Sequence, residues 1–231
     1  MLRLLTHCSS VRRRAVRDVI YPMLSALAYM HSENIIHRDV KPENTLVSDS
    51  GSVLLADFGL SIDCGRERPS TRLGTPDYMA PETLRCPDKD ARAPPGPQLY
   101  DGKVDSWAMG ILAFEILAGR APFEQECKQT TCDLICYGDY VMPNFLSPNA
   151  RDFISRALCK KAAARPTIAE LLAHPWMSGE ARRNSIPSAP TGGVAAAAKD
   201  SSGSGARSSA RSSLMMPATP PIAARLALAK K

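Results

Sequence analysis

His37-Arg38-Asp39-Val40-Lys41-Pro42-Glu43-Asn44 is the stretch whose reading decides the fold, because the other informative segments make chemical sense only around it. It sets a carboxylate, an ammonium two positions on and a carboxamide three beyond that into one short polar run. Taken singly, Asp39 and Asn44 are ordinary turn residues. Their surroundings change that. Asp57-Phe58-Gly59 begins thirteen positions after Asn44, and Ala80-Pro81-Glu82 closes the polar segment that follows. Ile35-Ile36 precedes the run, Thr45-Leu46-Val47 leaves it, and Val53-Leu54-Leu55-Ala56 leads into Asp57. With Ser48-Asp49-Ser50-Gly51-Ser52 between them, the pattern predicts short strand, turn, short strand.

The three segments, in this order, resemble the signature set of protein kinases. The resemblance implies a mainly α fold within the α+β class: a large helical lobe with short strands about a catalytic loop. It also implies roles. Phosphoryl transfer is catalysed mainly by positioning and by neutralising charge on the phosphates. Asp39 would orient the substrate hydroxyl and accept its proton, and Lys41 would offset charge on the moving phosphoryl group. Asn44 and Asp57 would hold Mg2+, since amide and carboxylate oxygens suit a hard cation that takes the rest of its shell from water and ATP. Lys41, Glu43, Asn44, Leu46 and Asp57 would face the nucleotide, with Leu46 beneath the adenine ring. Glu43 alternatively matches a position that reads a basic substrate residue, or is a solvated loop side chain. Lys41 together with Gly74-Thr75-Pro76-Asp77-Tyr78 is more similar to Ser/Thr than to Tyr kinases, and Thr75 would bridge Asp39 and Lys41. The activation segment and central helix look similar to Aurora-like and calcium/calmodulin-kinase-like groups without deciding between them.

Further positions are carried over as supports. Thr71 matches an activating phosphosite whose phosphate would pair with Arg38; otherwise it is an exposed loop hydroxyl. His37, Phe58 and Gly59 belong to the structural frame. Asp105 would cap the central helix and anchor the catalytic-loop backbone, and Glu82 would form a buried ion pair with Arg165. The Asp-Pro usual before this Arg is replaced by Lys160-Lys161-Ala162-Ala163-Ala164, which alters the local loop but not the pair.

Periodicity supplies the helices. Val16, Val19, Ile20, Met23, Leu24 and Leu27 recur at helical spacing and run on to Tyr29 and His31. The Arg-rich, acid-poor start of the same region mimics a transit peptide, but the helix before the catalytic loop is the preferred reading, with Pro22 kinking it. Asp105 to Leu117 is apolar almost all round, as a buried helix is, and Gly119 and Pro122-Phe123 end it. Glu124–Gly138, Pro148–Cys159 and Thr167–Leu172 read as three more.

Charge divides the chain. Residues 1–177 carry 21 Lys and Arg against 21 Asp and Glu, and residues 178–231 carry 8 against 2. The globular part therefore gives no electrostatic reason to invoke nucleic acid. Residues 178–231 are rich in Ser, Ala, Gly and Pro and read as a disordered tail. Cys86 to Leu99 reads as a Pro-rich insertion. Cys127, Cys132 and Cys136 are read as packing thiols rather than a zinc site, for want of Cys-x-x-Cys spacing. No run reaches the length of a membrane span, and an intracellular protein, cytoplasmic or nuclear, is expected.

A Gly-rich phosphate loop and the strand Lys of a small lobe do not occur in the sequence. The expectations are three: a Ser/Thr kinase whose sequence begins late, a kinase-lobe scaffold, or a half-enzyme completed by a small-lobe partner. Protein substrate and ATP are the partners of the first.

Overall fold

The computed structural model describes residues 16–87 and 100–181. The Arg-rich stretch 1–15, most of the insertion at 86–99 and the tail from 182 onward lie outside the described residues. A π-helical turn, Val16–Ile20, leads into α1, Tyr21–Ser32. Pro22 is the second residue of α1, but the π-helical turn runs straight into it, Ile20 having helical φ −65° and ψ −46°, so its missing N–H leaves a carbonyl of that turn without an intrahelical donor. The proline expected inside one longer helix lies just after the point, Ile20–Tyr21, where that helix passes from π to α. Met23, Leu24, Leu27 and Met30 form the buried face of α1.

Two antiparallel ribbons flank the catalytic loop. β1, Ile35–Ile36, pairs with β4, Ile62–Asp63. β2, Thr45–Val47, pairs with β3, Val53–Leu55, in the register Thr45 to Leu55 and Val47 to Val53. The turn between β2 and β3 closes with Ser48 N–H donating to Ser52 O (2.9 Å), and Gly51 takes φ +81°, a conformation glycine adopts without steric cost. β4 was not expected: its two residues sit inside a polar stretch too short to show a strand period.

The helices that follow are α2, Pro81–Leu84; α3, Lys103–Ala118; α4, Lys128–Tyr137; α5, Pro148–Ala157; α6, Ile168–Leu172; and α7, Pro175–Ala181. α7 runs past residue 178, where the tail was expected to begin. α3 is the centre of the core, and only Lys103, Glu115 and Ala118 on it escape full burial. It packs against α5, while α1 packs against α6. Gly110 makes the first contact possible: a Cβ there would stand 2.8 Å from Ala157 Cβ and from Leu158 Cδ2. α3 ends at Gly119, φ +83°, whose N–H donates to Glu115 O at 2.7 Å. α5 is capped by Ser147 and α6 by a Thr167–Glu170 capping box.

Candidate active site

The catalytic-loop backbone is strained and clamped. Arg38 has φ +70° and Asp57 φ +59°, a region non-glycine residues occupy at a cost of order 1–3 kcal/mol each. What over-determines the first is Asp105. Its carboxylate accepts His37 N–H and Arg38 N–H, both at 2.9 Å, and bonds His31 Nε2 at 2.8 Å. Burial acts to raise the Asp105 carboxyl, but the His31 contact and the His37 amide outweigh it and hold it below the usual range. Asp105 thus anchors the loop, as expected, but does not cap α3. Asp101 does that work instead, its Oδ1 accepting Lys103 N–H at 2.9 Å.

His37, fully buried, knits the loop to the Asp57 segment. Asp39 N–H donates to its Nδ1 (3.3 Å), leaving Nε2–H to donate to Ala56 O (3.1 Å). Its ring meets Phe58 edge-on at 5.4 Å. Gly59 N–H donates to Asp57 Oδ1 at 3.1 Å.

Around Asp39 four donors converge. Thr75 gives its N–H (3.1 Å) and Oγ1–H (2.9 Å) to Oδ1, while Lys41 Nζ (2.7 Å) and Asn44 Nδ2 (3.0 Å) give to Oδ2. Burial acts to raise the carboxyl, which is only 5% exposed; the Lys41, Thr75 and Asn44 contacts prevail and hold it below its ordinary value. Lys41 Nζ also lies 2.8 Å from Thr75 Oγ1, so Thr75 sits between acid and amine. Asn44 Nδ2 donates a second time, to Asp39 O at 2.8 Å. The amide N–H groups of Asn44 are thereby committed to Asp39, and its oxygen is the atom left for a hard cation. Ala56 N–H donates to Asn44 O (2.9 Å), so the β2–β3 ribbon sets Asn44 opposite the residue before Asp57, whose side chain is exposed. An amide oxygen and an exposed carboxylate fit Mg2+.

The remaining expected residues fall as follows. Glu43 is exposed on the 3-10 turn Pro42–Asn44, and Leu46 is 50% exposed on β2 opposite Leu54. Arg165 and Glu82 meet in a two-pronged ion pair, 2.6 and 2.9 Å, despite the altered Lys160 to Ala164 stretch, whose last three residues form a 3-10 turn. Arg38 and Thr71 are joined through a third residue, Tyr100. Arg38 Nε donates to Leu60 O (2.5 Å) and Nη1 to Tyr100 Oη (3.1 Å), and that hydroxyl donates to Thr71 O (3.0 Å). Tyr100, His31 and Thr45, whose Oγ1 donates to Lys41 O at 2.9 Å, are site supports that sequence reasoning missed. Tyr100 and His31 act through partners fixed only by the tertiary fold, whereas Thr45 acts locally, on the carbonyl four residues before it.

The comparisons match this geometry. The model of the protein kinase domain matches residues 1–177. The chain belongs to the protein kinase family. It is 40% identical over 161 residues to an Aurora kinase of Saccharomyces cerevisiae, covering 69% of this chain and 41% of that protein. An Aurora kinase of Dictyostelium discoideum is 37% identical over 161 residues, 70% of this chain and 39% of its own length. The Xenopus laevis Aurora kinase A-B is 33% identical over 177 residues, 77% of this chain and 41% of that kinase. The kinase chain therefore spans about two-fifths of the length of the curated relatives it matches. Among the described residues, no helix is long and apolar enough to cross a membrane, and no group of three or more His, Cys, Asp or Glu is arranged to hold a metal. Cys132 and Cys136 are partly buried free thiols on α4, whereas Cys127 stands exposed at its N-terminus rather than packing.

Proposed function

We propose that this lobe transfers the γ-phosphate of ATP to Ser or Thr of protein substrates. The observation that carries the reading is the Asp39 cluster: a carboxylate held ionised by Lys41, Asn44 and Thr75 at the mouth of the catalytic loop. Asp39 orients the acceptor hydroxyl and takes its proton, Lys41 offsets charge on the phosphoryl group, and Asn44 with Asp57 holds Mg2+. Bound Mg2+ neutralises charge developing on the phosphates. Leu46 lies under adenine, and Thr71 is a phosphate switch acting toward Arg38. Glu43, Asp77 and Glu115 surround Tyr78, whose hydroxyl donates to Glu115 and is held protonated well above the usual range by burial, that bond and the neighbouring carboxylates. That acidic setting favours a basic residue on the substrate.

A second reading is supported by Leu46 and Leu54, cross-strand partners each half exposed on one face of the β2–β3 ribbon. In it the lobe works by binding a partner, either a scaffold or a small lobe supplied by another chain. The test is transfer of labelled γ-phosphate to a peptide library by the protein and by its Asp39→Asn variant. Ser and Thr labelling that falls about a hundredfold or more in the variant supports catalysis. Labelling of Tyr alone, or indifference to Asp39→Asn, refutes it. Magnesium-dependent ATP binding without transfer favours completion by a second chain.

A further inference from the structure

Thr71 and Arg72 share a peptide group that is gripped from both sides. Tyr100 Oη donates to its carbonyl oxygen at 3.0 Å, and its N–H donates to Pro87 O at 2.8 Å. The grip continues inward, because Arg38 Nη1 donates to the same hydroxyl at 3.1 Å and Arg38 N–H is bonded to Asp105. Tyr100 and Asp105, at the approach to α3 and in its first turn, thus hold Arg38 at its two ends. A phenol only 5% exposed needs its hydroxyl satisfied, and here it accepts from a guanidinium while donating to a carbonyl. Burial, set against the Arg38 contacts, keeps that phenol protonated, so the donation persists through the working pH range.

We propose that Tyr100 is a positioning residue of the activation segment, carrying the hold of Arg38 onto the Thr71–Arg72 peptide and seating the segment without a phosphate on Thr71. The relay reaches the main chain of Thr71, so the Thr71 side chain stays available. Calling the segment an activation segment rests on the function proposed above; the relay itself does not.

The Arg72 amide is the reporter. In the unphosphorylated chain, Tyr100→Phe keeps the buried ring and removes the hydroxyl that makes the relay. Hydrogen exchange at Arg72 is expected to speed up on the order of two- to tenfold, the worth of one net hydrogen bond, with α3 and α5 amides unchanged. An unchanged Arg72 rate overturns the proposal, and so does equal acceleration throughout α3 and α5, which would make Tyr100 a core residue only. A second measurement needs no variant. In the unaltered chain the Tyr100 hydroxyl proton is expected to exchange slowly and to show a nuclear Overhauser contact with the Arg38 guanidinium, and a fast-exchanging hydroxyl overturns the relay. Both readouts are taken without nucleotide or substrate. A chain that transfers no phosphate leaves them intact, and a failed relay leaves the proposed chemistry intact.

Discussion

Removing the Glu82 carboxylate is the sharpest test of how this lobe is held together. Arg165 is entirely buried, with Nη1 and Nη2 on Glu82, Nη1 also on Lys103 O (3.0 Å), Nε on Cys159 O (2.9 Å) and the guanidinium 5.0 Å over the Trp107 ring. Glu82→Ala leaves the two carbonyls and the ring but takes away the countercharge. An uncompensated buried charge costs about 3–5 kcal/mol. The lower end applies, because Glu82 is 14% exposed and water can enter where its carboxylate stood. At a urea dependence of about 2 kcal/mol per M, about 3 kcal/mol moves the unfolding midpoint down by about 1.5 M. The assay is intrinsic fluorescence in urea, since both tryptophans of the chain, Trp107 and Trp176, are buried in the lobe. The double variant Glu82→Leu with Arg165→Met removes both charges and replaces them with apolar volume, so it is expected within about 1 kcal/mol of the unaltered chain. A Glu82→Ala midpoint close to that of the unaltered chain, or a double variant as damaged as the single, would refute the reasoning.

Gly110→Ala drives a methyl to 2.8 Å from Ala157 and Leu158, so α3 and α5 must part; a loss of about 1–3 kcal/mol is expected in thermal unfolding, and an unchanged midpoint would mean the contact is slack. Asp39 and Asp105 both have carboxyls held below the unfolded value, so their share of stability is complete above the unfolded pKa of about 3.9 and is lost as pH falls through the lower folded values. Acid titration of the urea midpoint is therefore expected to turn downward below about pH 4, and a midpoint that rises there contradicts the sign. Thr71→Ala spares the carbonyl that Tyr100 holds, so folding should be untouched while phosphoryl transfer by the active enzyme falls; unchanged turnover sinks the switch at Thr71.

The parts legible in the sequence are those whose physics is local. A run apolar on every side could only be the buried centre, and α3 is; a turn of Ser, Asp and Gly between two apolar triplets could only close a ribbon, and β2–β3 does. Pro22 was legible as a disturbance within a helix, but the π-helical turn before it was not, because a single proline does not say how the turn preceding it rearranges its hydrogen bonds. β4 escaped notice because its two residues are strand only by virtue of Ile35 and Ile36 beside them. In the site, Asp39, Lys41 and Asn44 lie within one loop and Thr75 within a recognisable motif, so their convergence was foreseeable.

What could not be foreseen are the bonds made by side chains that have several possible partners. Arg38 offered a guanidinium, and the sequence suggested one acceptor for it, a phosphate on Thr71. The fold gives Arg38 two others, Leu60 O and the Tyr100 hydroxyl, the latter from beyond the insertion. Likewise Asp105 was legible as an anchor because its partners are backbone amides that every residue carries, whereas His31 joined it only because α1 ends beside the first turn of α3. Gly102 keeps that junction tight, since a Cβ there would come within 2.9 Å of the His31 ring. Arg38 and Asp105 are therefore the points where helix α1, the catalytic loop, the segment bearing Thr71 and helix α3 are tied together. A change at His31 or Gly102 should reach the Asp39 cluster without touching it, because both bear, through Asp105, on the loop backbone that Asp39 stands on.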